Sequence, residues 1–163
     1  MDTPMNTDIR KVKDPDSDLV DPSLYRQLIE SLMYLVNTRP DICFVVNTIS
    51  QFQVEPRHEH SIIAKHVLRY IHRTLNYGLR YTSTSDIQLH GFTDSDWAGS
   101  AEDRKSTSGM HFNLGSTMIS WGSRKQKSVA LSTAEAEYIA ACEACTEAIW
   151  IRNLISDLFD QIP

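Results

Sequence analysis

The stretch Phe92-Thr93-Asp94-Ser95-Asp96-Trp97-Ala98-Gly99 decides the fold. It follows a run in which Ile87, Leu89 and Gly91 alternate with Gln88 and His90, the two-residue period of a half-buried strand. That strand is expected to carry Asp94 at its C-terminal end. A polar loop then runs through Lys105. Met110, Phe112 and Leu114 alternate in turn, Gly115-Ser116 makes a turn, and Met118 to Trp121 form a third strand. Strands joined by such short connections form an antiparallel meander.

Downstream, the spacing predicts one long helix from about Thr133 to Phe159. Ser132 and Glu135 stand at capping-box spacing. Glu137, Ala140, Ala141, Ala144 and Ala148 share one sector of the helical wheel, and small residues there let a helix lie close against a sheet. Ile139, Cys142, Ile149, Leu154, Ile155 and Leu158 supply bulkier packing. Cys142 and Cys145, three residues apart, read as packing residues. Trp121 and Trp150 read as core, whereas Trp97, in the loop beside Asp94, is the more open aromatic and could stack on a base.

Upstream, the period is helical. Residues 1–20 are polar and read as a linker with little fixed structure. Asp21 is an N-cap with Pro22 at the first helical position, and Leu24, Leu28, Leu32 and Leu35 follow at helical spacing. Pro40 disfavours helix at Arg39, so this helix should stop near Thr38. A second helix is expected from Asp41 towards Val54. A third should run from His58 to Thr74, burying Ile63, Val67, Tyr70 and Ile71. Asn76-Tyr77-Gly78 is a turn, and Leu79 to Thr82 reads as a short strand. The expected organisation is a linker at 1–20, a three-helix part at 21–84 and a sheet with one long helix at 85–163. The fold class is α+β.

The chain has 163 residues, 41% of them hydrophobic and 23% charged, a globular balance. Its net charge of −5 supplies no overall basic field to draw nucleic acid, so such contact would need a local patch. Three cysteines make an odd count without framework spacing, which suits a reducing compartment. The first residues lack the basic flank and apolar run of a secretory signal, and no stretch is apolar enough to span a bilayer, so the expected location is inside a cell and away from membranes.

Asp94 at a strand end and Glu137 on a long helix are the best chemical clue. Paired carboxylates at such a junction can hold Mg²⁺, a hard cation that prefers oxygen ligands. Two such ions about 4 Å apart can activate water for phosphodiester cleavage. Against this, Asp is a common turn and cap residue, and helix Glu is usually solvated. Asp96 and Asp103 read as turn residues rather than ligands. Arg124-Lys125-Gln126-Lys127 could touch phosphates but reads first as a solvated loop. His58, His60, His66 and His72 read as surface residues and not as a zinc site, because no Cys pair lies near them.

A family resemblance adds to this. Tyr25-Arg26-Gln27-Leu28-Ile29, Ser31-Leu32-Met33-Tyr34-Leu35, Thr38-Arg39-Pro40-Asp41-Ile42 and Leu68-Arg69-Tyr70-Ile71 resemble the polymerase region of copia-type retrotransposon Pol polyproteins. Thr93-Asp94-Ser95-Asp96-Trp97-Ala98-Gly99, Arg104-Lys105-Ser106-Thr107-Ser108-Gly109, Ile119-Ser120-Trp121 and Ala134-Glu135-Ala136-Glu137-Tyr138 resemble the opening of that family's RNase H domain. The motifs fall in the family's order over nearly the whole chain from Thr3. The resemblance implies the end of a reverse-transcriptase region followed by the N-terminal half of an RNase H-like domain. It implies that Asp94 and Glu137 are the first two of four acidic positions that hold catalytic Mg²⁺. Glu137 is preferred to Glu135 because it directly precedes Tyr138-Ile139-Ala140-Ala141.

The departures are informative. The family's third acidic position lies on a strand beyond the long helix, in a Cys-Asp-Asn-type motif, and the fourth lies further on. The chain ends at Pro163, before either. No Tyr-x-Asp-Asp of a polymerase site occurs, and Glu30 stands where the family usually has Gly. The expectation is therefore a vestigial, weak Mg²⁺ site or none, an RNA–DNA hybrid bound weakly at most, and an open edge along Leu89 to Asp94 where a further strand would pair. That edge is expected to take a host protein or a second copy. The chain also resembles short copia-derived sequences catalogued as secreted RxLR-type effectors of downy mildews. That likeness implies delivery into the cytoplasm or nucleus of a plant cell and interference with defence. The motif itself is absent in strict form, Arg73-Thr74-Leu75-Asn76 and Arg26-Gln27-Leu28-Ile29 coming nearest.

Overall fold

A computed structural model describes residues 3–5, 17–82, 88–100 and 103–159. The chain divides into two compact units, Met1–Gly78 and Leu79–Pro163.

The first unit is helical. Helix α1 spans Pro22–Val36, and the Asp21 carboxylate caps it by accepting a hydrogen bond from the Ser23 amide at 2.8 Å. A 3-10 turn at Pro40–Ile42 leads into α2, Cys43–Ser50, and α3 spans His58–Arg73. The single helix expected from Asp41 to Val54 is thus a short turn plus two turns of α-helix. Pro40 tightens its start, and it ends at Ser50, before Val54 and Pro56. Tyr25, Ile29 and Leu32 of α1, Val45, Val46 and Ile49 of α2, and Ile63, Ala64, Val67 and Tyr70 of α3 form one core with Ile42. The Tyr25 hydroxyl donates to the buried Ile49 carbonyl at 2.9 Å, so a polar tip enters the core satisfied. Burial pushes its ionisation well above the usual phenol range.

The described end of the expected linker is paired. Leu19 forms an antiparallel bridge with Arg57, the Val20 amide donates to the Pro56 carbonyl at 2.9 Å, and the His58 amide donates to Asp18 at 2.9 Å. Met5 packs on the core. Backbone pairing, which composition does not reveal, fixes residues 17–20 against the start of α3. Residues 6–16 lie outside the described ones.

The second unit is a three-stranded antiparallel sheet under one helix. Strand β1 spans Leu89–Asp96, β2 spans Thr107–Leu114 and β3 spans Thr117–Lys125, in the order β1-β2-β3. The expected strand start at Ile87 lies outside the described residues. Gly115, at φ 59°, opens the two-residue turn between β2 and β3, a conformation that glycine adopts without steric cost. Helix α4 spans Thr133–Phe159. Ser132 Oγ accepts from the Glu135 amide at 3.1 Å, and the Glu135 carboxylate accepts from the Leu131 amide at 2.7 Å, which makes a reciprocal cap. Phe112, Ala144, Ile151 and Ile155 form the core between helix and sheet, with Leu89, Met110, Leu114, Ile119 and Ala148 at its border.

Leu79 to Thr82 is not a strand. The segment is held by side chains: Thr117 Oγ1 donates to the Arg80 carbonyl at 2.8 Å and the Tyr81 hydroxyl to the Met118 carbonyl at 3.1 Å. Among the described residues no backbone ladder accompanies these bonds, so the β-prone composition of the segment is not expressed as a strand.

Candidate functional site

Each carboxylate owes its position to a different element. Gly91 pairs with Phe112 in the β1–β2 register. A Cβ on Gly91 would lie 2.5 Å from the Phe112 ring, so both face α4. Side chains alternate along a strand, which puts Leu89, Gly91, Thr93 and Ser95 towards the helix and His90, Phe92, Asp94 and Asp96 on the other face. Phe92 and His111 stack on that uncovered face, with ring centroids 4.8 Å apart. Asp94 is exposed there, opposite Gly109.

Glu137 lies in the second turn of α4. Ala136, Ala140 and Ala144 bury the small-residue side of the helix, and Glu137 is exposed at its flank. No hydrogen bond or ion pair joins it to Asp94 among the described residues. Nor does any group of three or more His, Cys, Asp or Glu side chains there come together as metal ligands. Mg²⁺ takes near-octahedral oxygen coordination. Two exposed carboxylates, one on the sheet face away from α4, do not by themselves supply it, and among the described residues no third ligand joins them.

The neighbouring acids have structural partners. The Asp96 carboxylate accepts from the Thr107 amide and sits so close to Gly99 that no Cβ fits there. Asp103 accepts from the Lys105 amide at 3.2 Å and pairs with Lys125 at 2.9 Å. The hydrogen bond from Ser100, then Lys125 and the Lys105 amide, outweigh burial and hold its carboxyl well below the usual range. Ala98 and Arg104 take left-handed backbone at φ 52° and 55°.

Other expectations resolve individually. Arg124 and Lys127 are exposed, but Gln126 is buried and donates to Ser108 Oγ at 3.0 Å and to the Ala136 carbonyl at 2.9 Å, tying β3 to α4. His60 is buried, accepts from the Arg57 amide at 3.0 Å and stacks on Phe52, with centroids 3.9 Å apart. It is therefore a capping residue and not a surface one. His58 and His72 are exposed. Trp97 donates to the Ala130 carbonyl at 3.1 Å and stays half open. Trp150 is 59% exposed and Cys142 and Cys145 are exposed, contrary to their reading as packing residues. The reason is that α4 is apolar on more sides than the sheet covers. A hollow of about 380 Å³ on α3 is lined by Leu68, Arg69, His72 and Arg73. No described helix is long and apolar enough to cross a membrane.

One polar cluster went unread in the sequence. Arg39, 7% exposed, forks onto Asp41 at 2.9 and 2.7 Å and reaches the Thr74 carbonyl at 3.1 Å and hydroxyl at 2.7 Å. The Tyr70 hydroxyl donates to Asp41 at 2.8 Å. Burial opposes the Asp41 charge, but hydrogen bonds from Arg39 and Tyr70 and the Arg39 charge prevail, and its carboxyl lies below the usual range. The Thr38–Ile42 and Leu68–Ile71 motifs thus meet in a clasp that locks the end of α3.

Comparison with known proteins sets this geometry in context. The chain is 43% identical over 140 residues to the retrovirus-related Pol polyprotein from transposon RE1 of Arabidopsis thaliana, matching 86% of this chain and 10% of that polyprotein. It is 39% identical over 160 residues to the corresponding polyprotein from transposon RE2 of the same plant, 98% of this chain and 11% of the other. It is 45% identical over 128 residues to secreted RxLR effector protein 161 of Plasmopara viticola, 78% of this chain and 90% of that one. The chain therefore spans about a tenth of the Pol polyproteins it matches. No family model and no solved structure matches it.

Proposed function

The chain belongs to the retrovirus-related Pol polyproteins of transposons, and from that premise we propose that its second unit is an RNase H-like half-domain that is catalytically silent by itself and acts by binding. The observation that carries this reading is the order of elements around the acids. Asp94 lies near the end of the first strand, a hairpin meander follows, and Glu137 lies near the start of the long helix. In this reading the two are the first members of a metal-binding acidic set. Their exposure, with no third ligand gathered among the described residues, supports Mg²⁺ binding that is weak at best. In a whole polyprotein the remaining carboxylates would come from other parts of the chain. The first unit would then belong to the end of the reverse-transcriptase region.

The binding surface in this reading is the free side of β1. Among the described residues β1 is the edge strand, pairing with β2 alone, and Phe92 on it is exposed. Such an edge takes a strand from a partner or from a second copy. A second reading is favoured by one observation, the match to nine-tenths of the Plasmopara viticola protein. On that reading the chain is an effector delivered into plant cells, and the same surface meets a host protein.

The test compares wild type with the Asp94→Asn/Glu137→Gln double variant in hybrid cleavage, Mg²⁺ titration and suppression of cell death in leaf tissue. We expect no cleavage by either protein and weak Mg²⁺ binding that the variant loses. Suppression that survives the double change supports the effector reading. Cleavage by wild type that the variant loses would sink the catalytically silent reading.

A further inference from the structure

Cys142-Glu143-Ala144-Cys145 places two exposed thiols one turn apart on α4. The sheet side of this helix is carried by Ala136, Ala140, Ala144, Ile151 and Ile155. At about 100° per residue, Tyr138, Cys142, Cys145 and Ile149 fall together on the opposite side. Tyr138 is 72% exposed and Ile149 54%. The thiols therefore sit in the middle of an apolar stripe that faces outward.

Side chains three apart on a helix have Cβ atoms roughly 5–6 Å apart. A disulfide needs about 3.5–4.5 Å, so regular helix resists closing the pair on itself. A metal ion asks for less. Zinc–sulfur bonds are about 2.3 Å, which puts two sulfurs on one tetrahedral ion roughly 3.8 Å apart, within reach of two inward rotamers. Thiolates are soft ligands that select Zn²⁺ and similar thiophilic ions over Mg²⁺.

Two thiolates fill half of a tetrahedral shell. We propose that Cys142 and Cys145 bind a thiophilic divalent cation such as Zn²⁺, and that the same pair from a second copy of the chain completes a four-thiolate site between two α4 helices. Helices crossing at the cysteines about a twofold axis cover each other's Tyr138 and Ile149, so one self-complementary patch supplies both ligands and packing. Four thiols become thiolates as the ion binds, and four protons are released to solvent.

The experiment titrates the reduced full chain with Co²⁺ and then Zn²⁺, following absorption, proton release and sedimentation. The expected result is saturation at one ion per two chains, with a thiolate-to-cobalt charge-transfer band and four protons released per ion. The sedimenting mass should double on metal addition and return with chelator. Cys142→Ser/Cys145→Ser, with both changes at exposed positions and helix content checked by circular dichroism, should bind at least a hundredfold more weakly and keep its metal-free mass. One ion per chain, no charge-transfer band, or unchanged binding in the folded double variant would overturn the proposal. A mass that is already doubled without metal and does not change when metal is added would place self-association on another surface and overturn the metal-bridged pairing.

Discussion

Replacing Arg39 by alanine removes four hydrogen bonds at once, two to Asp41 and two to Thr74. It leaves the Asp41 carboxylate with the Tyr70 hydroxyl and strips the last turn of α3 of a buried donor. It also removes the guanidinium lying 5.8 Å from the Tyr70 ring centre. Losing one partner of a fully buried ion pair costs about 3–5 kcal/mol. Here the Arg39 side chain is 8% exposed but Asp41 is 32% exposed, so water recovers part of the loss. We expect a cost of about 2–4 kcal/mol, or roughly a 30- to 700-fold loss of amide protection in α1–α3 at about 1.4 kcal/mol per tenfold. Hydrogen exchange read by mass spectrometry is the suitable assay. Trp97, Trp121 and Trp150 all belong to the second unit, so tryptophan fluorescence does not report on the clasp. Arg39→Lys, which keeps the charge and loses the fork, should fall between. A loss below threefold for the alanine variant would show that the clasp does not hold this unit together.

Acid should weaken the same clasp. Asp41 is depressed below the ordinary value of 3.8, so its contribution is whole above about pH 4 and drains away as the pH falls through the folded value. The gap in protection between wild type and Arg39→Ala should therefore narrow in that range, and a gap constant down to pH 2 would refute the assignment. Gly91→Ala should destabilise the second unit by about 1–3 kcal/mol, because its Cβ would press on the buried Phe112 ring at 2.5 and 2.9 Å. The tryptophan denaturation midpoint measures this, and an unmoved midpoint would mean the ring has room to shift. Ser132→Ala should cost about 1 kcal/mol and fray the first turn of α4, seen as faster exchange of the Glu135 amide.

Signals confined to a few neighbouring residues were legible. Asp21-Pro22 marked the start of α1, Ser132 and Glu135 marked that of α4, and Gly115-Ser116 marked the hairpin turn. The strands ran longer than their alternation suggested. Thr107 to Gly109 and Gly122 to Lys125 are polar or small, and their pairing is set by the neighbouring strand rather than by hydrophobic period. Leu79 to Thr82 erred in the other direction, with strand composition and no strand partner. The clasp was unreadable because Arg39 and Thr74 lie 35 positions apart in sequence. The faces of α4 were misread at Cys142, Cys145 and Trp150 because apolar residues surround the helix, so period alone did not say which side met the sheet. The candidate acids were found by motif. Their orientation was not, because Asp94 owes its face to a register fixed by Gly91 and Phe112.

The tether of Arg80 and Tyr81 to the start of β3 says where this chain can be divided. The sequence pattern alone would draw the line after Thr84, where the period changes. A second half begun there leaves Thr117 Oγ1 and the Met118 carbonyl without their partners. One begun at Leu79 carries its own fastening. Dissecting the chain between Gly78 and Leu79 keeps the Arg80 and Tyr81 bonds within the second half.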